Sequence, residues 1–316
     1  MSEINKNTNG AAPAKGMSTM AERDIKKVTQ RQLITKILSQ TVIYIFLLAI
    51  ALIVLFPFYW MIISSLKSLT EYRYNIPTLF PEKIMFDNYV IAFTQGNLGR
   101  TFANTVYVGL VSTLISLVIT VLSAFAFARL EFKGRETLFA ILLATMMIPG
   151  ELFTITNYST VYNFGWINTY TVLIVPFLVS VFYIYLLRQN FLQIPNELYL
   201  AAKVDGTTDL KYLWKVMIPL ALPTLISITI LKMMGSWNSY MWPNLVTSKE
   251  SMMLVTNGIR NADFSVGTMG GEGSAVDINY PVQMAAVAIV SAPLFIVFLF
   301  LRKYIMKGVS RSGIKG

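Results

Sequence analysis

Apolar residues gather in six long runs, near Thr41–Leu66, Asn104–Ala128, Leu138–Ile155, Thr169–Leu187, Val216–Trp237 and Val282–Tyr304. These runs approach or exceed the roughly 20 residues that a helix needs to cross the hydrocarbon core of a bilayer. Inside lipid every backbone N–H and C=O must be bonded within the protein, so runs of this kind predict helices. The pattern therefore predicts an all-α, polytopic membrane protein with six transmembrane helices. Pro57, Pro149-Gly150, Pro176, Pro219 and Pro223 interrupt the runs. Such breaks either kink a helix without further role or border a cavity.

The polar intervals are uneven. Between the fourth and fifth runs lies "LRQNFLQIPNELY" followed by "LAAKVDGTTDLKYLWKVMIPLALP", Leu187 to Pro223. Pro195 suits the first turn of a helix, where its missing N–H costs nothing. Glu197 follows, where a carboxylate favours the helix dipole. Leu198, Ala201, Ala202 and Asp205 recur at three- and four-residue spacing, and the alanine pair makes part of that surface small and flat. Gly206 suits the position just past the helix end, because it adopts positive φ cheaply. Thr208 suits the cap of a second helix, with Leu210, Leu213, Trp214 and Met217 on one stripe. The element reads as helix, tight turn, helix, a rigid surface for another protein to pack against. The other reading is an amphipathic helix resting on lipid, which would set bulky apolar residues against several Lys or Arg; the first helix offers Ala-Ala and Lys203.

Composition agrees with the runs. Of 316 residues, 55% are hydrophobic and 13% charged, with mean hydropathy +0.57. Lys and Arg number seven through Lys36, three in Arg129–Arg135, four in Arg188–Lys215 and five from Arg302 onward. The alternate intervals hold four, none and two. Basic residues favour the cytoplasmic side, so both termini and the Leu187–Pro223 element are expected there. The net charge of +10 follows from this bias, with no nucleic acid invoked. There is no Cys or His, which removes disulfides, thiolate chemistry and the commonest general base and metal ligands. The acidic residues show no metal-ligand spacing. Residues 1–37 are expected to be a disordered, basic cytoplasmic tail, 38–305 the six-span domain with its loop at about 189–219, and 306–316 a cytoplasmic C-terminal tail.

The loop resembles the coupling loop of ABC importer permeases, in which Glu-Ala-Ala, three residues, Gly and nine residues precede Ile, any residue and Leu-Pro. Ala201-Ala202, Gly206, Val216 and Ile218-Pro219 fall at those spacings, while Leu200 stands where the family has Glu. "PFYWMIISSLKSLTEY", "DNYVIAF", "LSAFAFARLEFKGRETLF", "MIPGELFTITNY", "WINTYTVLIVP", "SWNSYMWPNLVTS" and the end "LRKYIMKGVSRSGIKG" are similar, in order, to carbohydrate importer permeases of the maltose (MalG-like) type. The resemblance covers Ile45 to Gly316. It implies a prokaryotic plasma-membrane subunit, paired with a second permease to form a heterodimer. It also implies two copies of a cytoplasmic ABC ATPase and an extracytoplasmic sugar-binding protein.

The chain carries no GxxxxGK[ST] phosphate loop, so it is expected to bind no cofactor and to be no enzyme. ATP and Mg would sit on the partner ATPase. The resemblance assigns ATPase coupling to Glu197, Leu198, Ala201, Ala202, Asp205, Gly206 and Pro219, and a further ATPase contact to Lys315 and Gly316. It makes Asn238–Tyr280 the loop that reaches the binding protein; an ordinary solvated loop is the alternative. The glycine-rich 267–277 reads as a flexible loop. Tyr158, Asn168, Tyr183, Lys232, Ser236 and Asn238 are candidates to line a sugar path, though Lys232 could instead snorkel to the outer surface. Competing readings are a permease for another small solute and a secondary transporter, which predicts repeated halves and buried acids that are not evident here. A membrane-embedded enzyme is a third, and it lacks the side chains for a nucleophile or metal site.

Overall fold

The computed structural model describes residues 15–266 and 277–310. The chain divides into two compact units, Met1–Trp60 and Met61–Gly316. Helix α1 (Lys15–Ser65) accounts for the described part of the first unit. No Pro or Gly stands between Gly16 and Pro57, so nothing stops this helix. It starts within the stretch expected to be a disordered tail and passes residue 37 without a break; residues 1–14 lie outside those described. Ile37 to Phe56 expose bulky apolar side chains, as a surface facing lipid tails should.

In the second unit come α2 (Leu69–Tyr72), α3 (Asp87–Gln95) and α4 (Leu98–Arg129). Then follow α5 (Arg135–Thr145), α6 (Thr154–Asn163), α7 (Tyr170–Ile174), α8 (Val181–Leu192) and α9 (Asn196–Val204). α10 (Asp209–Tyr212), α11 (Ile218–Leu220), α12 (Leu222–Trp237), α13 (Met241–Val246), α14 (Val255–Asn261) and α15 (Tyr280–Ser310) complete the helices. Three stretches are long and apolar enough to cross a membrane unbroken: Thr35–Ser65 of α1, α4, and Tyr280–Phe300 of α15. Three more form bent pairs: Arg135–Thr145 with Gly150–Asn163 at 82°, Tyr170–Phe177 with Val181–Leu192 at 44°, and Asp209–Leu220 with Leu222–Trp237 at 80°. Each bend sits beside a proline, at Pro149, Pro176 and Pro219–Pro223, where a missing N–H and ring clash break the helical ladder. The third expected run, ending at Ile155, continues past its bend to Asn163.

Helix α4 is the spine of this unit. Its small and hydroxylated residues let neighbours approach closely, the usual basis of helix packing in lipid. At Gly109 a Cβ would come within 3.3 Å of the Met233 side chain in α12. Val121, Ala124 and Phe125 pack on Leu187 and Phe191 of α8 and on Leu213 and Met217. Val108 joins Leu173, Trp242 and Leu254 farther along. Leu98 and Ala92 meet Val282, Ala285 and Ala286 of α15.

The interval Asn238–Tyr280, expected as a loop, is folded where it is described. It holds α13, α14 and a two-residue antiparallel pair, β1 (Ser265–Val266) with β2 (Asp277–Ile278). Residues 267–276, most of the glycine-rich stretch, lie outside the described residues. Asn104 of α4 pins the segment between α13 and α14. Its amide donates to the Ser251 and Met253 carbonyls, each at 2.9 Å, and Tyr170 Oη donates to its Oδ1 at 2.8 Å. Thr105 Oγ1 accepts from the Val255 amide at 2.9 Å.

The opposite end of α4 is tied by arginine. Arg129 Nη2 donates to the Phe191 and Ile194 carbonyls at 2.9 and 2.5 Å, just past the end of α8. Arg188 Nε donates to the Phe127 carbonyl at 3.0 Å, while its Nη2 reaches both Glu136 oxygens at 3.1 and 3.0 Å. The Arg188 guanidinium also lies 4.1 Å over the Phe139 ring. Both arginines are buried, so they do more than bias topology. Arg129→Met is expected to leave two buried carbonyls without their donor and to destabilise the protein by about 2 kcal/mol. A lower thermal midpoint in detergent, with faster amide exchange over residues 189–199, is the outcome to measure.

Candidate functional site

Two places gather the residues that carry chemistry. The first is the helix–turn–helix of α9 and α10. Pro195 occupies the N-cap (φ −54°, ψ 136°) and not the first turn, so Asn196 opens α9. At the other end the Gly206 amide donates to the Lys203 carbonyl at 3.0 Å and the Thr207 amide to Ala202 at 2.8 Å. These paired bonds are a Schellman closure, which needs a left-handed residue at the turn. Gly206 supplies it with φ +69°. Asp205 caps the helix through its backbone, its own side chain exposed. Thr208 has N-cap backbone geometry, but its hydroxyl accepts no bond from the helix.

A polar staple joins the two short helices. Tyr199 Oη donates to Asp209 Oδ1 at 2.8 Å, and Lys203 Nζ lies 2.7 Å from the same oxygen. The Asp209 carboxylate raises the Lys203 pKa above its ordinary value. The Tyr199 and Tyr212 rings sit 5.2 Å apart. A half-exposed ion pair contributes little by itself; the shared carboxylate and ring contact fix the angle between the helices.

The alanine pair does not form one flat face. Ala202 turns inward against the Phe191–Met217 core, with Tyr199, while Ala201 stays exposed. Leu198 (44%), Leu200 (56%) and Val204 (88%) are exposed beside it, as is Glu197. The expected stripe Leu210, Leu213, Trp214, Met217 also splits. Leu213 and Met217 are fully buried while Leu210 and Trp214 are exposed. A π turn over Leu213–Met217 inserts an extra residue and rotates the following positions. Pro219 is exposed at the start of the 80° bend into α12.

The second place is a cavity of about 420 Å³ between α4, the broken α7–α8 pair, α12 and α13. Of the six path candidates it gathers Tyr183, Lys232 and Ser236. Tyr158, Asn168 and Asn238 lie elsewhere. Tyr158 stacks on Tyr162 at 6.3 Å, and Asn238 is the exposed C-cap of α12. Asn168 is a loop staple. Held at φ +59°, its Oδ1 accepts from the Ser248 and Lys249 amides at 2.7 and 3.0 Å. Ser112, Phe177 and Trp242 line the cavity without having been expected there. Trp242 lay in view within "SWNSYMWPNLV", but only the turn after α12 swings it back over the cavity. The Lys232 ammonium donates to the Phe177 carbonyl, left open where the chain breaks before α8, while Trp242 Nε1 donates at 2.9 Å to the Val172 carbonyl that Pro176 cannot serve. No metal-binding group of three or more acids occurs among the described residues, and Lys315 and Gly316 lie outside them.

A family model described as "binding-protein-dependent transport system inner membrane component" matches residues 116–311, taking in the elbow and the cavity lining apart from Val108 and Ser112. A permease protein of an arabinooligosaccharides transport system from Halalkalibacterium halodurans is 31% identical over 84% of this chain and 93% of its own length. A diacetylchitobiose uptake system permease protein from Streptomyces coelicolor is 28% identical over 83% and 84%. Among solved structures, a bacterial ABC transporter involved in import of the acidic polysaccharide alginate gives a TM-score of 0.73 at 24% identity, covering 83% of this chain and 95% of that one; this likeness bears on fold. With its apolar runs and bent pairs, the chain belongs to the family of binding-protein-dependent transport inner membrane components: it is a multi-pass permease subunit and not an enzyme.

Proposed function

We propose that this chain forms half of the translocation path of an ATP-driven carbohydrate importer, alongside a second, different permease. Two copies of a cytoplasmic ATPase power it, and an extracytoplasmic binding protein delivers the sugar. The relatives named for arabinooligosaccharide and diacetylchitobiose uptake support the substrate class. The observation that carries the mechanism is the α9–α10 elbow. It is closed by the Gly206 turn, stapled at Asp209 and presents Leu200, Ala201 and Val204 outward. The distribution of Lys and Arg supports placing this elbow and both termini in the cytoplasm. With no phosphate loop in the chain, the elbow serves as the joint at which nucleotide-driven closure of the ATPases moves the helices. Because α10 runs through the π turn and α11 into α12, a push on the elbow reaches the helix that carries Lys232. Lys315 and Gly316 would add a second ATPase contact.

This reading departs from the usual family joint at Leu200, where an apolar side chain replaces a carboxylate. Leu200→Asp with Val204→Asp is expected to reduce the ATPase recovered with the affinity-purified permease at least about tenfold, by burying charge at an apolar contact. Unchanged recovery removes these residues from the joint. Gly206→Val forces a β-branched residue into left-handed backbone at a cost of at least about 1–2 kcal/mol. The variant is expected to reach the membrane at normal abundance yet hydrolyse ATP without sugar uptake in reconstituted vesicles. Normal uptake by it would rule the elbow out as the lever.

A further inference from the structure

Every residue near Lys232 leaves its charge unanswered. The cavity wall combines aromatic faces from Phe177, Tyr183 and Trp242 with hydroxyls from Ser112 and Ser236, and among the described residues Lys232 is its one charged side chain. No carboxylate pairs with that ammonium among the described residues. One N–H goes to the Phe177 carbonyl, and an ammonium has three to give. Capping a carbonyl requires a donor, not a charge; Gln or Ser would serve. A cation within a membrane span is costly and normally has a functional reason. Ring faces flanking a cation and hydroxyls match a pyranose that carries an acidic group, with the apolar sugar face on the rings and the anion on the lysine. The volume of about 420 Å³ falls in the range of small-molecule sites.

We infer that this cavity is a binding station for an acidic saccharide, a uronate or a sugar phosphate, whose anionic group is held by Lys232. The inference rests on the carbohydrate reading above and narrows it. Lysine suits such a station better than arginine. It is a compact point charge on a flexible stem, without the rigid two-pronged grip of a guanidinium. It can follow a passing anion and release it, which a path demands of its binding sites.

The test separates charge from donor. The complete transporter, with its native binding protein, is reconstituted in vesicles and offered three labelled probes: a disaccharide of a uronic acid, its neutral parent and the parent's phosphate ester. The wild type is expected to take up at least one acidic probe in preference to the neutral one. Lys232→Gln keeps a donor for Phe177 but lowers acidic uptake about tenfold, the difference between a charge-assisted and a neutral hydrogen bond. Lys232→Arg keeps the charge and retains more of that uptake than Lys232→Gln, though less than the wild type, because the guanidinium grips the anion more rigidly. Equal yield and monodispersity of the purified variants confirm that each complex assembles. Dependence on Lys232 for the uronate alone identifies the anion as a carboxylate, and for the ester alone as a phosphate. Uptake of the neutral probe in preference, or acidic uptake indifferent to Lys232→Gln, overturns the inference and leaves a carbohydrate importer standing. Uptake of none of the probes by an assembled, ATP-hydrolysing complex overturns both.

Discussion

A helix that ends or breaks leaves carbonyls without partners in its own ladder, and where water is excluded something else in the protein must donate to them. That constraint organises this chain. Where α8 ends, Arg129 reaches from α4 to the Phe191 and Ile194 carbonyls. Where α4 nears its own end, Arg188 reaches back from α8 to Phe127. Where α7 breaks, Lys232 comes from α12 to Phe177. Between α13 and α14, Asn104 serves Ser251 and Met253. Each donor belongs to a different element from its acceptor, so satisfying the backbone also fixes which elements are neighbours. At the Pro176 break the donors arrive from elements that stay helical there, Lys232 of α12 to Phe177 and Trp242 of α13 to Val172.

Much of this was legible in the sequence, and the residues that were not share a reason. Pro149, Pro176 and the Pro219–Pro223 pair marked the bends, and Gly206 marked the turn, because proline and glycine act through their own backbone chemistry. Arg129 and Arg188 read only as basic residues flanking apolar runs. Their capping roles depend on carbonyls some sixty positions away, which no local pattern encodes. Asn168 looked like a polar group available to a sugar, yet its amide is committed to Ser248 and Lys249. The split between Leu213, Met217 and Trp214 escaped because a π turn changes the helical period there, which a 3.6-residue ruler cannot see, and the inward turn of Ala202 is set by tertiary packing on the core around Phe191 and Met217.

The two sites are linked by covalent continuity as well as by the core that both pack against. From Gly206 the chain passes through α10, the π turn, α11 and the 80° bend into α12, whose later turns carry Lys232 and Ser236 to the cavity wall. Along this route the side chains alternate between firm burial, as at Tyr212, Leu213 and Met217, and exposure, as at Trp214 and Leu220. The route is thus gripped on one side by the α4–α8 core and free on the other.

Val204, at 88% exposure with Leu200 one turn before it, has a consequence for the life of the subunit before assembly. Apolar side chains held outward on a rigid elbow cannot rearrange to hide themselves, so on the proposed cytoplasmic placement a solitary copy would present hydrophobic surface to anything that recognises it. With the ATPase docked as proposed, that signal would fall silent, and the same few atoms would tie the survival of each copy to the supply of its companion.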